Sequence, residues 1–472
     1  MKKASKKRTQ KVNKKSRKTK KSVADQKLEM INPNAAGIDV ASEEMWVCVP
    51  ADRAELNVRK FGAFTCDLYD IADWLKACGV TSVAMESTGI YWIPLYQVLE
   101  EREFEVCLVN ARQLKNVSGR PKTDRLDCTW IQRLHSYGLL MPSFRPDDEI
   151  CQLRSLLRHR DALIRSAARE IQHMQKALHQ MNILLDKVIS DMTGVTGTAI
   201  IEQMLVGERD PQTLATLRNP HCKKPAEAIA KALEGDYREE HLFVLRQAYE
   251  AYQFTQRQIA TCDDEAEKWL TRTEKVIDVR EHPLPPATSG RKTRRDNEPS
   301  YDARSYIYAI YGVDLTQIPG VGLSTIQTLL SEVGRDLSKW PTVKQFTSWL
   351  GLCPNLKRSG GKDQSSQTRK VKSRAAKALR LAAQTLRGSK SALGAFYRRL
   401  AGRIGPSKAL TATARKLAVI FYNMVRFKKA YTDLGEDEYL KRQQQRHLAR
   451  LKKQAARLGF DLVAKAASAS QA

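Results

Sequence analysis

Apolar and polar positions change period along the chain. From 35 to 110 short apolar runs alternate with one amphipathic helical stretch after another: AAGIDVA, MWVCVP and KFGAFTC, then DLYDIADWLKAC, TSVAMES, YWIPLYQVLEE and FEVCLVN. Runs of this length between turn signals predict strands, and the 3,4-spaced stretches predict helices, in the order βββαβαβ. A further helix, about 123 to 138 (TDRLDCTWIQRLHSYG), follows the last strand. The expected unit is a mixed α/β layer with a three-stranded antiparallel start.

Between 150 and 188 the spacing becomes long and regular. Ile150, Leu153, Leu157, Ile164, Ala167, Ile171, Met174, Leu178, Met181, Leu185 and Val188 form a 3,4 seam, interrupted by Arg160. Such a seam predicts a coiled coil between protomers; an antiparallel helix pair within one chain uses the same spacing. Helices continue from 198 to 277, and REHPLPPATSGRKTRRDNEPS at 280–300 has the prolines and charge of a linker. A second, mostly helical unit runs from 305 to about 432, and the stretch beyond it is a Gln-, Lys- and Arg-rich helix with no deep apolar stripe. The expected organisation is a disordered basic arm (1–33), an α/β domain (34–145), the seam helix (148–195), a helical extension (196–279), a linker (280–304), the C-terminal domain (305–432) and a basic tail (433–472).

Charge narrows the class of partner. The 472 residues include 80 Lys and Arg against 52 Asp and Glu, a net charge of +28. Residues 1–22 alone carry twelve of those cations and no acid, which predicts a self-repelling arm that gains affinity for phosphate by counterion release. Nucleic acid is the first candidate partner and an anionic membrane surface the second. No stretch approaches the roughly 18 apolar residues of a membrane span, and no apolar segment follows the basic start to make a secretory signal. Nine scattered cysteines, without a C-x-x-C pair or zinc spacing, point to a reducing cytoplasmic compartment.

Four acids stand where acids are costly or aligned. Asp39 lies inside the first apolar strand, where an unpaired carboxylate costs several kcal/mol, so it demands a partner or a metal. Glu86 ends the fourth strand, and Asp124 and Asp127 open the following helix on one face at i, i+3. Hard oxygen ligands of this kind suit Mg²⁺ or Mn²⁺, which would stabilise the attacking and leaving oxygens of a phosphoryl displacement. Taken singly, Asp124 also reads as a helix N-cap and Asp127 as a first-turn acid favoured by the helix dipole.

The strand Asp39, the strand-end Glu86 and the helical Asp124 and Asp127 resemble the DEDD set of insertion-sequence transposases of the IS-one-ten type, the bridge-RNA-guided DNA recombinases. The motifs GIDVAS, AMESTGIYW, NARQLKNVSGRPKTDRLD and IPGVG-x-x-T carry the resemblance over roughly 34–432. It implies an RNase H/RuvC-like domain whose four carboxylates bind Mg²⁺ or Mn²⁺, a coiled coil joining protomers, and a helical C-terminal transposase domain. In that domain IPGVGLSTIQTLLSEVG has the form of a helix-hairpin-helix element, with Gly320 and Gly322 admitting a phosphate backbone; an ordinary tight turn is the plainer reading.

Downstream, nine Lys or Arg and one Asp occupy 355–380. Lys357, Arg358, Gly360, Gly361, Lys362, Arg369, Lys370, Lys372 and Arg374 are the candidate nucleic-acid contacts there. From the residues alone Ser359 reads as a phosphate-contacting loop serine; the resemblance makes it the nucleophile that forms a phosphoserine link to DNA, with Ser365 and Ser366 as neighbouring alternatives. The implied partners are donor and target DNA, an element-encoded guide RNA and further copies of the chain, in a bacterial cytoplasm at the nucleoid. The rival readings are a junction-resolving nuclease that uses water and a non-catalytic DNA-binding protein.

Overall fold

The computed structural model describes residues 29–110, 123–287 and 297–463. The basic arm, most of the NARQLKNVSGRPK motif and the Arg-rich part of the linker lie outside the described residues. The chain divides into two compact units, 1–145 and 146–472.

The first unit is a five-stranded sheet with helices. Its elements are β1 (Ala35–Val40), β2 (Glu44–Cys48), β3 (Val58–Gly62), α1 (Thr65–Ala77), β4 (Ser82–Glu86), α2 (Trp92–Glu101), β5 (Glu105–Val109) and α3 (Asp124–Ser136). The sheet order is β3-β2-β1-β4-β5, antiparallel across the first three strands and parallel from β1 outward to β4 and β5. This mixed sheet with its helices is consistent with an RNase H-like DEDD domain. The third strand ends earlier than the apolar run KFGAFTC suggests, because Asp67 accepts a hydrogen bond from the Phe64 amide at 2.9 Å and starts α1 at Thr65. Ile38, Val47, Ile71, Leu75, Met85, Leu95 and Leu99 fill the core between sheet and helices.

 The Leu95 side chain belongs to the same core and is fully buried there.

The second unit is mostly helical. It contains α4 (Asp148–Gln180), α5 (Leu185–Val188), α6 (Val195–Val206), α7 (Pro211–Thr216), α8 (Ala226–Leu233), α9 (Glu239–Arg272), α10 (Ala303–Tyr311), α11 (Leu323–Val333), α12 (Val343–Trp349), the strands β6 (Lys357–Ser359) and β7 (Lys362–Ser365), α13 (Arg374–Thr385), α14 (Ala392–Ile404), α15 (Pro406–Phe427) and α16 (Gly435–Arg457). Among the described residues no helix is long and apolar enough to cross a membrane.

The seam on α4 finds its cover inside the chain, where α4 packs along α9. Arg160, the interruption, is the clearest sign. Its guanidinium donates to both carboxylate oxygens of Asp263 on α9, at 2.5 and 3.0 Å, and to the Asn297 carbonyl at 3.1 Å. Both side chains are buried, so the pair is placed where a charge needs its partner. The last turns of α4 join α5–α9 in a second core that includes Met174, Leu178, Met181, Ile200, Met204 and Leu245. A third core gathers aromatic rings: Trp340, Phe346, Trp349, Phe421 and Tyr422 are linked by successive ring contacts of 4.7–6.1 Å. The α16 helix buries no residue.

Where a helix-hairpin-helix is expected, one α-helix stands beside the turn. Before the turn at 318–322 stands a single 3₁₀ turn, Leu315–Gln317, and after it α11. Gly320 has φ +80°, and a Cβ there would stand 2.8 Å from the Ala382 carbonyl oxygen, so this glycine serves close packing against α13. Gly322, the residue before α11, faces open space.

Candidate active site

One close approach brings α3, which carries Asp124 and Asp127, against β1, which carries Asp39. Gly37 and Asp39 are two apart on β1 and share a face of the sheet. A side chain at Gly37 would collide with the Gln132 amide nitrogen and the Cys128 carbonyl oxygen of α3. The absent Cβ lets α3 lie directly on β1, and Gln132 Nε2 donates to the Ala35 carbonyl at 3.2 Å to hold it there. The first turn of that helix carries Asp124 and Asp127 toward the end of β1. Thr123 is the N-cap, its hydroxyl accepting from Leu126 N at 3.4 Å, so Asp124 is not spent on capping. Glu86 ends β4, the parallel neighbour of β1.

Electrostatics reports the convergence. The Asp39 carboxyl is raised from 3.8 to about 6, first by desolvation and then by the negative charges of Asp127, Glu86 and Asp124 in that order. Each of the three other acids therefore acts on the half-buried Asp39 carboxyl. They do not form a closed cage: among the described residues no group of three or more His, Cys, Asp or Glu stands ready to hold a metal ion. The donor set nevertheless fits a hard divalent cation by chemistry and by charge, since such an ion would relieve the repulsion that raises Asp39. Thr88 Oγ1 donates to Glu86 Oε1 at 2.8 Å, a contact that the residue pattern alone did not single out.

Ser359 lies in the second unit, at the tip of the β6–β7 hairpin. Ser359 pairs with Lys362 across a two-residue turn in which Gly360 and Gly361 have φ +56° and +76°. Two successive positive φ values are what a tight hairpin turn of this hand needs, and glycine supplies them without strain. Lys357, Arg358, Ser359, Gly360, Gly361 and Lys362 are all exposed, and Arg358 pairs with Asp363. Ser365 sits at the far end of the hairpin, half-buried, with its hydroxyl accepting from Gln367 N at 3.3 Å; Ser366 is exposed.

Arg369 donates to the Ser348 carbonyl and hydroxyl, and Arg374 pairs with Asp161 of α4 at 3.1 Å, so both have structural partners. Lys370 and Lys372 are exposed.

Two family models match. A transposase model of the DEDD type found in IS110 elements covers residues 36–183, and the transposase IS116/IS110/IS902 family covers 314–398. The chain belongs to the IS110-type transposases. No curated protein is similar enough to count as a match. Transposases of these families cut and rejoin DNA, so DNA is the substrate, and the DEDD type works with divalent metal. The first match contains all four acids and the second contains Ser359. Residues 184–313 of this transposase lie between the matched stretches.

Proposed function

We propose that this transposase is a site-specific DNA recombinase that uses Asp39, Glu86, Asp124 and Asp127 with Mg²⁺, and Ser359 as nucleophile. The observation that carries the acid site is the raised carboxyl of Asp39, lifted first by desolvation and then by the charges of the three other acids. When bound, the cation supplies charge neutralisation at the scissile phosphate and lets four carboxylates face a polyanion. Asp39 and Glu86, on adjacent parallel strands, would hold it from the sheet, and Asp124 and Asp127 from α3.

Ser359 attacks phosphorus through its Oγ, losing its proton. A phosphorus–oxygen bond to the deoxyribose breaks, and the departing sugar oxygen takes up a proton. The link is later reversed by a strand hydroxyl, which conserves the phosphodiester bond count. Lys357, Arg358 and Lys362 crowd cations around the hairpin tip, which favours a bound phosphate there. The glycine turn leaves nothing within 4 Å of either missing Cβ, so a backbone phosphate meets no side chain at Gly360 or Gly361. The engaged hydroxyl of Ser365 supports Ser359 over it.

Target choice belongs in this reading to a guide RNA encoded with the element, and the active species contains more than one copy of the chain. The basic surface, Lys370 and Lys372 included, serves both nucleic acids. The test is denaturing electrophoresis of end-labelled element DNA after incubation with Mg²⁺. Wild type is expected to give a protease-sensitive shifted band and Ser359→Ala none. An adduct that survives Ser359→Ala and disappears with Ser366→Ala reassigns the nucleophile. Cleavage without any adduct selects the water-using nuclease.

A further inference from the structure

Four residues beyond Glu86 the chain turns outward three large apolar side chains. Ile90, Tyr91 and Ile93 are 70%, 45% and 38% exposed. A single exposed leucine or isoleucine needs no explanation, whereas three within four residues beside a carboxylate site form a patch that asks for an occupant.

The turn that displays them is fixed. Ser87 Oγ donates to the Val109 carbonyl at 3.0 Å, Thr88 Oγ1 to Glu86, and Ile93 N to the Ile90 carbonyl at 3.1 Å. Gly89 has φ +57°, and a Cβ there would stand 3.4 Å from the Tyr91 ring. The next residue goes the other way: Trp92 packs inward, its ring edge-on to Tyr96 at 5.7 Å and against the sheet core. Of two adjacent aromatic residues, one anchors the turn and the other is displayed. On α3, Leu126 is 43% exposed between Asp124 and Asp127. Apolar surface therefore flanks acids on both elements.

We propose that Tyr91, with Ile90 beside it, is a stacking platform for an unpaired base next to the scissile phosphate. The proposal rests on the reading of Glu86 as an active-site acid. The site's own charge favours this occupant. Carboxylates repel the sugar-phosphate backbone everywhere except at a bound cation, so a neighbouring contact must be made to an uncharged part of the strand. A base face is that part. Strand exchange requires bases to leave their first partners, and an aromatic ring receives any of the four bases, because each has a π face.

The test uses the full chain carrying Asp39→Asn, which binds without turnover, and element-end DNA with 2-aminopurine at the nucleotides flanking the cleavage point. With Tyr91 present, the probe next to the cleavage point is expected to be quenched by stacking. Tyr91→Ala is expected to lose that quenching, and Tyr91→Phe to recover most of it. In a chain with Asp39 intact, Tyr91→Ala is expected to slow cleavage about tenfold. Tyr91→Leu keeps apolar bulk without a ring and covers the case in which alanine disturbs the turn; it too should lose quenching. Equal quenching with Tyr, Leu and Ala overturns the proposal. So does a normal cleavage rate in Tyr91→Ala together with a lower mass by light scattering for Tyr91→Ala and Ile90→Ser, which would assign the patch to a protein contact. Should Asp39→Asn itself cleave DNA, the acid-site reading fails first, and that failure is seen before any change at Tyr91 is made.

Discussion

Replacing Asp39 by Asn is expected to stabilise the metal-free protein while abolishing cleavage. The Asp39 carboxyl is raised from 3.8 to about 6 in the folded chain. Folding therefore holds a proton that the unfolded chain releases near pH 4, and stability falls as pH rises from about 4 to about 6. Above pH 6 the penalty is complete, and below pH 4 it is absent. A shift of about two units corresponds to about 3 kcal/mol, which solvent screening of a half-exposed carboxyl reduces to about 1–2 kcal/mol. Asparagine keeps the shape and carries no charge, so at pH 7.5 in chelator the variant should melt about 3–8 °C higher in the transition of the first unit. At pH 4 the two proteins should melt together. Added Mg²⁺ should then raise the wild-type transition and leave the variant behind, because a ligand stabilises the state that binds it. A variant that melts lower at pH 7.5 in chelator would refute the argument, since it would mean that ionised Asp39 has a stabilising partner and not three repelling neighbours.

Three further outcomes follow from packing and protonation. Gly37→Ala is expected to destabilise the first unit by roughly 2–4 kcal/mol and to cut cleavage, because the new methyl meets backbone atoms of α3 that have no room to yield; urea melts and a cleavage assay read both. Arg160→Ala is expected to cost about 3–5 kcal/mol by leaving Asp263 buried without its partner, and Arg160→Met with Asp263→Leu should recover most of the loss. His135 is held below its ordinary value by burial, with Ser82 Oγ 2.6 Å from its Nε2, so the folded state keeps the ring neutral and stability should be full above pH 6.5 and decline as pH falls below it. His135→Gln should flatten that acid limb of the stability profile.

The strand pattern made most of the first unit readable. Seven elements from Ala35 to Val109 follow the apolar runs, because a half-buried sheet leaves a period that each segment carries locally. Asp39 stood out for the same reason: a carboxylate in an apolar strand has few bland explanations. Gly37 did not stand out. Its importance comes from a helix about 90 residues later that must touch β1, and no local pattern records such a contact. The α4 seam shows the same limit from another side. Its 3,4 spacing says that one face is buried, and says nothing of which helix buries it. Arg160 was a usable clue, since a charge inside an apolar seam needs a counter-charge, but Asp263 lies 103 residues away. At Ser359 the two glycines were legible as a turn, while the engaged hydroxyl of Ser365 was visible only once the register of β6 and β7 was known.

Charge is distributed in this transposase so that the two matched regions each lack something a substrate complex provides. Asp39 is raised by desolvation and then by the charges of the three other acids, and a bound cation would offset that charge. The hairpin from 357 to 363 carries Lys357, Arg358 and Lys362 against Asp363 alone, and an anion is the remedy. The stretch between the matched regions runs the other way: residues 184–313 hold 18 Lys and Arg against 21 Asp and Glu within a chain of net charge +28. Its helices build a core of their own with the last turns of α4. An acidic segment gains nothing from counterion release. The phosphate-binding load therefore falls on the basic remainder of the chain, and substitutions on the exposed faces of α6–α9 should leave the salt dependence of DNA binding unchanged, whereas losing Lys357, Lys362 and Lys372 together should flatten it by about two to three phosphate contacts.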